Sequence, residues 1–170
     1  MANFADHVSH AKHNLEFLSG INHSHNGYFD WQVTVSYYTA LHLINSHIAK
    51  QSNMHFRTHY DTKNAINPFG SFVNTRLPEN IYTSYIKLEI LSRRARYLVK
   101  DKENAIPDEI AHITYDNHFT KAIRNLDIIL SYFSRIYSIT FTATPIYCVS
   151  LSEGTPLNNF KILQSLVPAN

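Results

Sequence analysis

The sequence predicts an all-α protein, a bundle of about five helices followed by a short C-terminal extension. Five segments repeat apolar residues at the three- and four-residue spacing of an amphipathic helix. Glycine is scarce, with four in 170 residues, so few positions suit the tight turns of a hairpin-rich sheet protein. Hydrophobic residues make up 44% of the chain and charged residues 16%, which is typical of a folded domain rather than a disordered one.

The first two predicted helices cover about residues 3–19 and 30–51. The first has one apolar stripe and is predicted to end at Gly20. Apolar side chains cover well over half the circumference of the second, so we expect it to be the central helix with the others around it. Six of its polar residues share a strip that Leu43 breaks, whereas His42 and Asn45 fall inside the apolar arc. The strip is formed by Gln32, Ser36, Thr39, Ser46, His47 and Lys50.

Three further helices follow. The third is predicted to start at Thr58, because Thr58 and Asp61 have the spacing of a capping box. The fourth follows Pro78, a residue suited to a first helical turn, and its apolar stripe reaches Val99. The fifth covers about residues 117–137 and has the cleanest apolar stripe in the chain.

The pattern changes after residue 138, so we divide the chain into a helical domain, 1–138, and an extension, 139–170. Residues 139–144 alternate as in a β-strand, which Pro145 interrupts. A short final helix is predicted over residues 155–166.

Composition also bears on function. The net charge of +2 is too low to indicate a strongly basic nucleic-acid binder, although a local basic patch remains compatible with it. Cys148 is the only cysteine and cannot form an internal disulfide, which favours a reducing compartment. No apolar run approaches the ~20 residues of a membrane span, so we expect a cytoplasmic protein with no membrane partner.

Standard cofactor and hydrolase motifs are absent from the sequence. There is no His-Glu-x-x-His, no pair of Cys-x-x-Cys motifs and no glycine-rich phosphate loop. His7, His10 and His13 recur every three residues, so two of them share a helix face and could hold a metal. A solvated histidine-rich face is the favoured interpretation, and the sequence therefore predicts no metal and no cofactor. His42 is interpreted as a satisfied core histidine, with a buried base as the alternative.

Two basic stretches are candidates for chemistry. In Arg-Thr-His-Tyr-Asp-Thr-Lys, residues 57–63, a helix capped by Thr58 places His59 at its first position. The free amides and the positive end of a helix suit an anion such as phosphate, and a neutral imidazole there can act as a base. The alternative is a polar helix start with nothing bound. Arg57 immediately precedes Thr58 and is therefore close to the same helix start.

The second stretch is Ser-Arg-Arg-Ala-Arg-Tyr, residues 92–97. Arg93 follows Glu89 by four residues, which an ordinary surface ion pair explains. Arg96 borders the apolar stripe, so it either pairs with a buried carboxylate or faces a groove. Tyr97 can stack on a base or pack against the protein.

The order of these segments resembles the HEPN superfamily of small helical bundles, found in prokaryotic toxins and defence systems. The matching stretches are WQVTVSYYTALHLINSHIA (31–49), HFRTHYDTKNAI (55–66) and YIKLEILSRRARYL (85–98), and the likeness covers about 3–138. Many HEPN domains are metal-independent ribonucleases. They dimerise, and each protomer contributes an Arg and a His about four to six residues apart.

This sequence departs from that pattern, because no arginine is followed by a histidine at the family spacing. Our hypothesis is a groove in which His59 and Arg96 are catalytic and in which Arg57, His42, Arg93 and Tyr97 bind the anion. The predicted function is a HEPN-like homodimer that binds RNA or a nucleotide in a defence or toxin–antitoxin setting. The alternative is a non-catalytic helical module for dimerisation or for binding a protein partner.

Overall fold

The computed structural model describes residues 2–97, 114–152 and 154–163 and shows an all-α bundle with a short C-terminal extension. Two short strands lie in the extension and pair in parallel, with Thr144 opposite Phe160. Within these ranges, none of the helices has the length and hydrophobicity needed to cross a membrane. The helices are α1 (Phe4–Ser24), α2 (Phe29–Ser52), α3 (His59–Ile66), α4 (Glu79–Tyr97) and α5 (Asp116–Tyr137), and the strands are β1 (Thr144–Tyr147) and β2 (Phe160–Leu163).

Helix α2 is the centre of the bundle, as its sequence predicts. It packs against α1, α3, α4 and α5. Val33 and Ile44 are fully buried, and Ile48 is nearly so. A helix enclosed on this many sides leaves little room for polar groups that lack a partner.

The polar strip of α2 is buried instead of facing solvent, apart from Lys50. Three of its hydroxyl groups donate to the helix's own carbonyls. Ser36 Oγ lies 2.7 Å from the Gln32 oxygen, and Thr39 Oγ1 lies 2.9 Å from that of Val35. Ser46 Oγ bonds the Leu43 oxygen in the same way. Because these donors are satisfied locally, the strip can be buried at little cost.

His47 is the strip residue with the most distant partners. Its Nδ1 lies 2.7 Å from the Tyr137 hydroxyl at the end of α5, and its Nε2 lies 3.2 Å from the carbonyl oxygen of Thr75. Burial lowers the pKa of His47 below its ordinary value of 6.5, against the opposing effect of the Thr75 hydrogen bond. The side chain therefore ties α2 to α5 and to the loop before α4 in its neutral form.

The prediction that α1 ends at Gly20 is wrong, because α1 continues to Ser24. The longer helix buries Asn22, whose Nδ2 donates to Gln32 Oε1 at 2.8 Å and to the Tyr147 oxygen at 2.9 Å. Asn22 Oδ1 in turn accepts the Tyr147 amide. These tertiary bonds outweigh the cost of about 1 kcal/mol for a glycine inside a helix.

The predicted secondary structure of the extension needs two corrections. The strand lies at Thr144–Tyr147 and includes Pro145, whereas residues 139–143 form neither helix nor strand. Pro145 is tolerated because β1 is an edge strand whose Thr144 amide faces β2 and bonds the Asn159 oxygen, so the proline nitrogen points to the other edge. The final helix predicted from 155 is replaced in the described residues by a loop and β2, and 164–166 lie outside them. Val99 of the fourth predicted stripe also lies outside the described residues.

Two carboxylates of α5 anchor the extension. Asp127 accepts the backbone amides of Asn158 and Asn159 at 3.1 and 2.8 Å, and also Asn159 Nδ2. Asp116 accepts from Cys148 Sγ and from the amide and hydroxyl of Ser150. Backbone amides bound to a carboxylate are charge-assisted bonds, so the extension is held firmly on the bundle.

His47 gives the fold a testable pH dependence. The unfolded chain takes up a proton near pH 6.5, which the buried His47 resists, so the free energy of unfolding falls as the pH drops below about 6.5. We expect His47→Gln to make this fall shallower in urea unfolding measured across the pH range, with the remainder due to His7 and His42, whose pKa values are also lowered. His23→Gln, at an exposed histidine of α1, should keep the wild-type slope. Equal slopes in wild type and His47→Gln would contradict the assignment.

Candidate anion-binding site at helices α2, α3 and α4

Helix α3 begins at His59 after Thr58, as predicted, but the predicted capping box is only half formed, because Asp61 Oδ2 accepts the Thr58 hydroxyl instead of the Thr58 backbone amide. Thr58 is the N-cap, its Oγ1 accepts the Asp61 amide at 3.0 Å, and the same hydroxyl donates to Asp61 Oδ2 at 2.6 Å. In the described chain, the backbone amides of His59 and Tyr60 have no hydrogen-bond acceptor. Free amides at a helix start create a positive potential, which here lies beside the exposed His59.

A chain of hydrogen bonds holds His59 against the core. Its Nδ1 lies 2.9 Å from the hydroxyl of Tyr37 on α2, and that hydroxyl lies 3.2 Å from the hydroxyl of Tyr85 on α4. Both tyrosines are fully buried. With Nδ1 engaged, Nε2 is the ring atom that His59 presents to solvent.

The direction of the hydrogen bonds between His59, Tyr37 and Tyr85 decides whether His59 Nε2 accepts or donates a proton. If His59 donates to Tyr37 and Tyr37 to Tyr85, then Nε2 carries a lone pair and can accept a proton. If the protons run the other way, Nε2–H is a donor suited to a phosphate oxygen. Either way the two tyrosines fix the ring's orientation, as a positioning partner does for a catalytic histidine.

Arg96 lies between two aromatic rings. Its guanidinium carbon is 5.9 Å from the ring centre of Tyr38 and 5.2 Å from that of Tyr97, both cation–π distances. Its Nε also donates to the Ser92 oxygen at 3.3 Å. Ser92 Oγ is buried and has no partner among the described residues.

The histidine and the arginine approach α2 at neighbouring positions, Tyr37 and Tyr38. Burial raises the pKa of Tyr37 to about 12. The hydrogen bond with Tyr85 and the positive charge of Arg96 both oppose that rise, so the charge of Arg96 acts on the Tyr37 hydroxyl. Burial likewise raises the pKa of Tyr85. Both hydroxyls are therefore neutral and available as hydrogen-bond donors. We call Tyr37, His59, Tyr85, Glu89 and Arg96 the α2–α3–α4 site.

Glu89 does not pair with Arg93, contrary to the ion pair expected from their spacing. Its Oε2 instead lies 3.2 Å from Lys63 Nζ on α3. Glu89 is buried, and a buried carboxylate takes the nearest cation that can be partly desolvated with it. This pair links α3 to α4, and Arg93 stays exposed.

Three of the remaining predicted residues, Arg57, Arg93 and Tyr97, lie at the surface. Arg57 and Arg93 are exposed, and neither guanidinium has an ion pair or hydrogen bond with a described residue. Tyr97 is 62% exposed, so one ring face is open to a ligand. A cleft of about 140 Å³ beside Arg96 is lined by Asp30, Trp31, Thr34, Ala95 and Arg96.

His42 is not part of this site. Its Nδ1 lies 3.2 Å from Nδ1 of His7, and its ring centre is 4.1 Å from that of His10. His55, in the loop after α2, stacks on His7 at 5.4 Å. We call His7, His10, His42 and His55 the histidine cluster. Burial, with the neighbouring His10 and His7, lowers the pKa of His42 to about 4.

The sequence-based interpretation of the repeating histidines was a solvated face, but His7 is buried and makes cluster contacts. Its Nε2 is buried and lacks a hydrogen-bond partner among the described residues. In the arrangement seen, no three His, Cys, Asp or Glu side chains of the described ranges converge as metal ligands.

Several residues of the α2–α3–α4 site escaped sequence reasoning. Tyr37 and Tyr85 lie on apolar stripes and were interpreted only as core residues, although a buried tyrosine hydroxyl needs a partner. That requirement was the available signal. Two residues next to the site carried no signal, because their roles depend on how α3 and α2 pack against α4: Lys63 pairs with Glu89, and Trp31 lines the cleft beside Arg96.

Comparisons with protein-family models, with curated proteins and with solved structures found no match to this chain. Functional inference therefore rests on the residues and their geometry.

The hydrogen bonds of the Tyr37 hydroxyl predict that removing this hydroxyl lowers the stability of the protein. Tyr37→Phe leaves the buried Tyr85 hydroxyl and His59 Nδ1 without their shared partner, so we expect a loss of about 1–3 kcal/mol in the free energy of unfolding. Chemical denaturation measures it. Tyr38→Phe is the matched control, since its hydroxyl has no hydrogen bond in the described structure, and should change stability by less than about 0.5 kcal/mol. Equal effects would contradict the role given to the Tyr37 hydroxyl.

Proposed function

We propose that this chain is a HEPN-like protein that binds RNA or a nucleotide through the α2–α3–α4 site. The observation that carries the proposal is that His59, at a helix start, and Arg96, beside the exposed ring of Tyr97, contact the consecutive α2 residues Tyr37 and Tyr38. A prokaryotic defence or toxin–antitoxin setting is supported by the sequence resemblance alone.

Each part of the site suits a different group of a nucleotide. The guanidinium of Arg96 and the free amides at the start of α3 attract a phosphate. The open face of Tyr97 offers a surface on which a base can stack. Arg57 and Arg93, on the segments that carry His59 and Arg96, add exposed positive charge whose contacts with phosphate are salt-sensitive. Asp30 and Asp61 reduce the positive potential, which suits a site for one or a few nucleotides better than a long duplex.

The arrangement also suits chemistry on RNA. A lone pair on His59 Nε2 can take the proton of a 2′-hydroxyl, and an arginine can stabilise the charge that develops on the neighbouring phosphate. His59 and Arg96 come from different helices, so their approach does not need the family's short sequence spacing. Ribonuclease activity is the stronger form of the proposal, and binding is its core.

A second candidate function is supported by an apolar surface that adjoins the cleft at Arg96 through Trp31, and we call this surface the aromatic patch. Phe17, Tyr28 and Trp31 are each more than half exposed and, with Ile21 and His25, line one shallow apolar groove. Exposed aromatic patches mark interaction surfaces more often than chance. This patch supports a dimerisation module as the alternative to RNA binding.

The RNA proposal is tested by binding and cleavage with a mixed pool of labelled single-stranded RNA in EDTA. We expect Arg96→Ala to weaken binding at least about tenfold and to reduce the salt dependence by about one ion. Arg135→Ala, which removes the same charge from an exposed position on α5, should bind like wild type. If wild type cleaves RNA, His59→Ala should abolish cleavage while keeping the binding.

Absence of salt-dependent binding by wild type would overturn the proposal, as would equal losses in Arg96→Ala and Arg135→Ala. Binding without cleavage would leave the core of the proposal in place and remove the ribonuclease form.

The alternative makes its own prediction. If the aromatic patch is a dimer interface, wild type sediments as a dimer and Trp31→Ser dissociates at least about tenfold more readily, because a buried aromatic anchor is lost. Phe69→Ser, at a residue that is 81% exposed elsewhere, is the matched control. A wild-type monomer, or a dimer unaffected by Trp31→Ser, would exclude this interface.

A further inference from the structure

The cleft beside Arg96 has the features of a site for one planar group. It has a volume of about 140 Å³ and is lined by Asp30, Trp31, Thr34, Ala95 and Arg96. Thr34 and Ala95 are buried and form its floor, whereas Trp31 is 61% exposed, so its indole ring is accessible from solvent. The Thr34 hydroxyl is satisfied, because it donates to the backbone oxygen of Asp30. The charges of the cleft are therefore those of Asp30 and Arg96.

Asp30 and Arg96 have opposite charges and line the same cleft, but they do not form a salt bridge with each other. In the part of the chain that the structure describes, the Asp30 carboxylate has neither an ion pair nor a hydrogen bond. The Nε of Arg96 donates to the Ser92 oxygen, while its two Nη groups have no acceptor within the same residues. Opposite charges that line one cleft without meeting leave space for a ligand between them.

A carboxylate in this position discriminates among the four bases of RNA. It accepts hydrogen bonds at both oxygens and donates none. Guanine has two adjacent donors on its Watson–Crick edge, N1–H and the 2-amino group, so one carboxylate can bond both. Adenine and cytosine have a ring acceptor next to their amino group, and uracil has its N3–H between two carbonyl oxygens. Each of these three bases would therefore place an acceptor against the carboxylate, which is unfavourable.

We propose that this cleft is a guanine-binding subsite, in which Asp30 bonds N1–H and the 2-amino group while Trp31 stacks on the base. The proposal rests on the function proposed above and names the base that the α2–α3–α4 site accepts. Arg96 belongs to both the cleft and that site, so it can bind the phosphate of the nucleotide whose base lies in the cleft. The exposed ring of Tyr97 stays available for a neighbouring base. Proteins commonly recognise an unpaired base by stacking on an aromatic ring and by hydrogen bonds to its Watson–Crick edge.

Trp31 allows the proposal to be measured directly. It is the only tryptophan in the chain, so tryptophan fluorescence reports on this cleft alone. We expect guanosine monophosphate (GMP) to quench the fluorescence of the full chain saturably. Adenosine monophosphate (AMP) should need a concentration at least about tenfold higher, because adenine cannot make the two-fold contact with the carboxylate. The cytidine and uridine monophosphates should resemble AMP, and free tryptophan with each nucleotide corrects for light absorbed by the bases.

Two further measurements test the contact between Asp30 and guanine, one by changing the base and one by changing the protein. Inosine monophosphate lacks only the 2-amino group of GMP, so its affinity should lie between those of GMP and AMP. Asp30→Asn should lower the affinity for GMP to that for AMP and leave AMP binding nearly unchanged. Glu16→Gln, which removes the same charge from an exposed position of α1, should keep the wild-type preference. Loss of a favourable charge in the first turn of α2 would weaken both nucleotides equally, so the ratio of the two affinities is the informative quantity.

The outcomes separate the guanine subsite from the function on which it rests. Equal affinities of wild type for GMP and AMP would overturn the subsite, as would an unchanged preference in Asp30→Asn. Inosine monophosphate that binds as tightly as GMP would also overturn it, and this comparison needs no variant. In each of these cases, salt-dependent binding of the mixed RNA pool that is weakened in Arg96→Ala would still support the proposed function. If wild type binds neither a nucleotide nor RNA, both proposals fail.

Discussion

The structure depends on the burial of α2, a helix surrounded by four others that nevertheless carries a strip of polar side chains. An enclosed polar group is tolerated only when it is hydrogen-bonded, so each strip residue has to find its partner. The serines and threonines bond their own helix, whereas Gln32 and His47 reach to other segments. These longer bonds fix the position and rotation of the neighbouring elements around α2.

The candidate site is a product of the same constraint. Tyr37 is buried, and among the described residues its hydroxyl bonds Tyr85 on α4 and His59 at the start of α3. The solvent-facing nitrogen of His59 is therefore oriented by the packing of the core. Arg96 of α4 packs against the ring of Tyr38, the residue that follows Tyr37 on α2. The rigid core thus holds the side chains of the candidate site in place at the protein surface, as is usual for functional sites.

Much of the fold could be predicted from the sequence, because helices α2 to α5 have periodic apolar stripes and α3 has a local capping pair. The errors arose where tertiary contacts decided the outcome. Helix α1 continues past Gly20 because Asn22, in its last turn, makes hydrogen bonds with Gln32 and Tyr147. The extension forms strands because Asn22 and Asp127 bond its backbone amides. For the site, the helix start at His59 was predictable, whereas the tyrosine chain and the Glu89–Lys63 pair depend on packing between distant segments.

The bond between Asn22 and Tyr147 has a consequence for the order of assembly. It joins residues 125 positions apart, whereas α1 and α2 are consecutive in the chain and meet through local contacts. Local contacts close early and distant ones late, so during synthesis the α1–α2 pair can form long before Tyr147 leaves the ribosome. Asn22 then has Gln32 as an interim partner. Docking of the extension is accordingly a late step that governs how slowly the finished protein opens, with little influence on how fast the helices first associate.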